Sequence, residues 1–74
     1  MKKSIYSEEY KYLVRQLKKA RKDARLDQSQ VAELLSTTQS SISRIEAGQI
    51  RIDPIQLNEF AKIYNKKLNW FVKQ

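Results

Sequence analysis

Residues 39–47 hold the densest set of side chains able to do chemistry. At about 100° per residue, Gln39, Ser40, Ser43 and Arg44 fall within one arc of a helix, while Ile42 and Ile45 point roughly the opposite way. The Gln39 carboxamide can pair with N7 and N6 of adenine in a bidentate way, worth about 1–3 kcal/mol of discrimination. Arg44 can take O6 and N7 of guanine, or a phosphate. Ser40 and Ser43 either reach bases or phosphates with permissive specificity or stand in solvent. The chemistry such a face offers is hydrogen bonding to base edges in a major groove.

Bond-making chemistry has little to work with. The chain has no His and no Cys, and no Gly-rich phosphate loop. Its serines have no evident base nearby in sequence, and its carboxylates lack metal-ligand spacing. The expectation is therefore no enzyme, no cofactor, no metal and no small-molecule ligand. Zero cysteines exclude disulfides and thiolate metal sites. No apolar run approaches the roughly 18 residues of a membrane span, and Met1-Lys2-Lys3 lacks the apolar run of a signal peptide. A cytoplasmic location, on the nucleoid when bound, is the default expectation.

The polar face needs elements to hold it. Val31, Ala32 and Leu35 share one helical face, which predicts a short helix over about 28–35, and the isoleucines predict another over about 39–47. Asp27 and Gln30 form a capping box before the first of these, and Thr38 caps the second. Upstream, Tyr10, Leu13, Val14, Leu17, Ala20 and Ala24 follow helical spacing, with Ser7 as N-cap and Glu8 and Glu9 at the positive helix start. Downstream, Asp53, Pro54 and Gln56 open a helix whose buried face is Leu57, Phe60, Ala61 and Tyr64. Asn65-Lys66-Lys67 break it before a last short turn over about 68–72. Five helices, one Gly, one Pro and no alternating β-branched run predict an all-α bundle, a single domain over residues 1–74.

The net charge of +7 is the expectation for a polyanion partner. Its distribution is uneven. Residues 1–25 carry nine basic and three acidic groups, residues 26–50 one and three, and residues 51–74 five and two. The reading segment is slightly acidic and the positive charge flanks it. Flanking Lys and Arg either hold phosphates or keep a small protein soluble. Gln28 sits where unpaired N–H groups at a helix start favour an anion. Thr38 and Arg51, just past Gly48, are further phosphate candidates. Lys2 and Lys3 read either as an arm over DNA or as a loose terminus.

Residues 26–48 resemble the helix-turn-helix of the XRE family, the lambda-repressor and Cro-like domains. The residues that carry the likeness are Leu26, Gln28, Val31-Ala32, Leu35, Thr38-Gln39-Ser40, Ile42-Ser43-Arg44-Ile45-Glu46 and Gly48, with Arg21 and Pro54 at familiar spacings. The resemblance spans about residues 13–71 and implies a compact bundle with its helix-turn-helix over about 27–47. It places a base-reading residue at Gln39 and a phosphate contact at Gln28. It also implies an ion pair between Arg21 and Glu46 that ties the first helix to the end of the third. Gly48 is expected to take the left-handed conformation that ends the third helix.

Three positions depart from the family pattern. Ser36 stands where it usually has Gly, so either serine is strained at positive φ or the turn differs, and Arg25 stands where Gly commonly stops the first helix, which is then expected to end differently or run longer. Thr37 replaces an apolar turn residue, which thins the turn core.

The resulting expectation is a transcriptional regulator, a repressor, bound to double-stranded DNA as a homodimer, since one helix reads too few bases to specify a site. Residues 68–72 are the candidate dimer surface. The alternative is a helical module that binds protein, antitoxin-like, with only non-specific DNA affinity. Its support is the acidic balance of residues 26–50 and an aromatic surface from Tyr6, Tyr10, Tyr12, Trp70 and Phe71, although core packing explains Tyr10, Trp70 and Phe71 more simply.

Overall fold

A computed structural model describes residues 7–73. The proposed arm at Lys2 and Lys3, and Tyr6, lie outside the described residues. The described chain is all-α: α1 (Glu8–Asp23), α2 (Gln28–Leu34), α3 (Gln39–Glu46) and α4 (Pro54–Tyr64), followed by a 3-10 turn at Leu68–Phe71. Four α-helices replace the expected five, because the last element is a single 3-10 turn of four residues.

Every helix starts where a side chain can satisfy orphan backbone N–H groups. Ser7, Asp27, Thr38 and Asp53 accept from the N–H of Tyr10, Gln30, Ser41 and Gln56. In α2 and α4 the capping box is reciprocal: Gln30 and Gln56 accept from the N–H of Asp27 and Asp53, at 2.8 and 3.0 Å.

All four helices also end in one way. Arg25, Ser36, Gly48 and Asn65 take φ of 61°, 55°, 76° and 58°. The N–H of the next residue then reaches back to the carbonyl five positions earlier: Leu26 to Arg21, Thr37 to Ala32, Gln49 to Arg44 and Lys66 to Ala61, at 2.8–3.1 Å. Arg25 and Ser36 therefore adopt the geometry that glycine would supply, at a steric cost glycine avoids. α1 neither lengthens nor ends differently.

The core is one cluster. Leu17, Ala20, Val31, Ile42 and Phe71 are essentially inaccessible, and Tyr10, Leu13, Ala32, Ile45, Phe60, Ala61 and Tyr64 complete it. Val14, Ala24, Leu35, Leu57 and Trp70 are only partly buried. Phe71 is the largest fully buried side chain, with Trp70 edge-on to it at 5.1 Å between ring centroids. Gln16 donates to the Trp70 carbonyl at 3.1 Å, and Lys66 bridges the Trp70 ring and Asp23. These contacts fasten the 3-10 turn to α1. Of the candidate aromatic surface, Tyr10 and Phe71 belong to the core. Thr37 borders a cavity of about 120 Å³ lined also by Leu35, Ile42, Ile45, Ile50 and Phe60.

Candidate nucleic-acid interface

The site is built outward from a buried charge. Arg21 reaches across from α1 to the end of α3 and grips Glu46 with two hydrogen bonds, Nε to Oε2 at 2.7 Å and Nη2 to Oε1 at 3.0 Å. Its third donor, Nη1, reaches the Leu26 carbonyl at 3.0 Å. The two side chains are 13% and 3% exposed, so the pair is largely cut off from solvent. The Glu46 hydrogen bond outweighs burial and raises the Arg21 pKa above its ordinary value, which keeps the guanidinium charged.

Glu46 carries the order onward. Gln28 Nε2 donates to Glu46 Oε1 at 3.1 Å, and Gln39 Nε2 donates to Gln28 Oε1 at 3.3 Å. Each carboxamide is thus held by its neighbour, and the flip state of Gln28 follows from facing an acceptor on one side and a donor on the other. Gln39 is the first residue of α3 and is exposed. Ser40, Ser43 and Arg44 are exposed beside it and have no side-chain partner among the described residues. The opposite side of α3 buries Ile42 and Ile45. The structure therefore brings Arg21, Glu46, Gln28 and Gln39 into one chain and leaves the rest of the polar face open.

The other two candidates sit differently. The Thr38 hydroxyl accepts from the Ser41 N–H and donates to the Ser41 Oγ, both at 3.1 Å, so its proton is already used by the cap. Arg51 lies in the connection between α3 and α4, its guanidinium carbon 4.5 Å from the centroid of the Tyr10 ring. The Tyr10 hydroxyl donates to the Ile50 carbonyl and accepts from the Ile52 N–H, both at 3.3 Å. Tyr10 thereby clamps the loop on either side of Arg51. The sequence placed Tyr10 in the core, or in an aromatic surface, and not against this loop. No local pattern links it to a loop 40 residues away.

Among the described residues no group of His, Cys, Asp and Glu is placed to hold a metal ion, and no helix is long and apolar enough to cross a membrane. What the surface presents is a short helix with polar side chains outward, anchored from below by a hydrogen-bonded ion pair.

Residues 17–71 match the model of a protein family described as Helix-turn-helix. No curated protein matches the chain.

Proposed function

The chain belongs to the helix-turn-helix family of the XRE, lambda-repressor-like type, a family of DNA-binding transcription regulators, and from that premise we propose that it is a sequence-specific repressor acting as a single domain. In this reading α3 enters the major groove. Gln39 reads an adenine, Arg44 takes a guanine or an adjacent phosphate, and Ser40 and Ser43 add permissive contacts. Gln28, at the start of α2, and Arg51 hold phosphates, and Thr38 joins them by turning its hydroxyl proton from Ser41 Oγ to a phosphate oxygen. Arg21 and Glu46 touch no DNA; they hold Gln28 in place.

One observation carries the proposal: Gln39 is exposed at the first turn of α3 yet fixed by Gln28, which Glu46 fixes in turn. A surface glutamine with no task has no need of such support, and a base-reading one gains from it because less side-chain freedom is lost on binding.

A dimer on two half-sites supplies the number of base contacts a genomic site requires. Repression then follows from occupancy of that site. Leu68 is exposed near the C-terminal end and Trp70 partly so, consistent with a contact between copies there. Selection of bound sequences from a random duplex pool at near-physiological salt tests the whole. A palindromic motif with half-sites about one helical turn apart supports it. Binding without a motif that vanishes as salt rises contradicts it.

A further inference from the structure

The reading helix carries one basic residue, Arg44, whereas α1 carries six: Lys11, Arg15, Lys18, Lys19, Arg21 and Lys22. On α1, Lys11, Arg15, Lys18 and Lys22 fall within an arc of about 60° at 100° per residue, on the side away from Leu13, Leu17 and Ala20. Lys11 pairs with Glu8 at 3.7 Å, and the neighbouring Lys19 pairs with Asp23 at 3.8 Å. Arg15, Lys18 and Lys22 have no acidic partner among the described residues; Arg15 only stands 6.0 Å over the Tyr12 ring. Successive members are three or four residues apart, so like charges are stacked on consecutive turns, an arrangement that destabilises a helix. Glu8 offsets that repulsion at Lys11, and no carboxylate among the described residues does so at Arg15, Lys18 or Lys22.

This row is continuous with the end of α3. Lys11, Val14 and Arg15 form one wall of a groove of about 300 Å³ whose other wall is Ala47 and Gly48. Val14 and Arg15 also border the next depression, ringed by Lys18, Lys19, Lys22 and Asp23, the carboxylate that pairs with Lys19. Ala47 follows Ser40, Ser43 and Arg44 on the same face of α3. A track of cations thus leads from the reading face along α1, spanning about 10 Å from Arg15 to Lys22 at 1.5 Å per residue.

We propose that Arg15, Lys18 and Lys22 form a second phosphate-binding surface, one that holds the DNA backbone beyond the base pairs read by α3. The inference rests on the DNA-binding reading above. The row has regular spacing, cations without acidic partners and a surface link to the reader, and none of the exposed large hydrophobic side chains among the described residues lies on α1. Engaging it draws flanking DNA toward α1, and the extra backbone contact adds affinity without adding sequence preference.

The test compares two duplexes carrying the selected site, one ending at its edges and one extended by about one helical turn on each side. Wild type is expected to show a steeper fall of log affinity with log salt on the long duplex, by about 2–3 per chain, as expected for three phosphate contacts. The variant R15Q/K18Q/K22Q is expected to lose that difference and keep wild-type affinity for the short duplex, with unchanged helix content by circular dichroism. Equal wild-type slopes on both duplexes overturn the proposal. So does a variant indistinguishable from wild type on DNA, which would leave the row to an acidic protein, or one weakened equally on both lengths. If wild type fails to bind even the short duplex, the DNA-binding reading falls, and this inference with it.

Discussion

Gln39 and Gln28 are joined by a hydrogen bond of 3.3 Å between the first turns of α3 and α2, and the second of these residues is itself held by Glu46 at 3.1 Å. The base-reading candidate is therefore the last link of a chain that begins at a largely buried guanidinium. The arrangement makes Gln28 a positioning residue as well as a phosphate candidate. Gln28→Ala is expected to weaken binding to every sequence and also to relax the base that Gln39 reads. In a double-mutant cycle with Gln39→Ala, measured as affinity for the selected site, the two losses are expected to be non-additive by about 0.5–3 kcal/mol. Additive losses would separate the two residues.

Removal of the anchor should be costly to the fold. Glu46→Ala leaves Arg21, 13% exposed at its side chain, without its counter-charge, which is expected to destabilise the protein by about 3–5 kcal/mol. Asp23→Ala, which removes only the solvent-exposed partner of Lys19 and Lys66, is expected to change stability by less than about 1 kcal/mol. Thermal or urea denaturation of both variants checks the contrast, and equal midpoints would remove the pair from the account.

Much of this was legible in sequence because the signals are local. Caps at Ser7, Asp27, Thr38 and Asp53 and the apolar faces of α1, α3 and α4 are read within a few residues, and the structure places them where spacing implied. The Arg21–Glu46 pair was legible only through resemblance, since 25 residues separate the partners. The Gln28–Glu46 link and the Tyr10 clamp on the Arg51 loop were not legible: each depends on how helices cross, which no periodicity records. The ends of α1 and α2 were ambiguous for a different reason. Arg25 and Ser36 are poor choices for positive φ, so the sequence argued against a geometry that the bonds from Leu26 to Arg21 and from Thr37 to Ala32 enforce.

That conflict gives a stability prediction. Ser36→Gly relieves the left-handed strain and gives back part of the gain as unfolded-chain entropy, for a net stabilisation of about 0.5–1 kcal/mol. Arg25→Gly should act alike. Asn65→Gly should gain less, since asparagine tolerates this region. Chemical denaturation of the three variants orders them.

Tyr64 supplies a pH dependence. Its hydroxyl is the one buried side-chain N or O among the described residues without a hydrogen-bond partner, and burial raises its pKa above the ordinary 10.0. The unfolded chain ionises first, so the folded state's advantage is intact below about pH 10 and is lost as pH rises beyond that value. Tyr64→Phe removes both the unpaired hydroxyl and the titration. The variant should be at least as stable as wild type at neutral pH, and the difference should widen in its favour above pH 10. Parallel stability–pH profiles would contradict this.

The most direct test of the central claim is to select bound duplexes from one random pool with wild type and Gln39→Ala side by side. The account predicts a palindromic motif for wild type and the same motif for the variant with a single position per half-site relaxed, an adenine by the chemistry of the carboxamide. An unchanged motif in the variant, or no motif in either, would contradict the assignment of α3 as the reader.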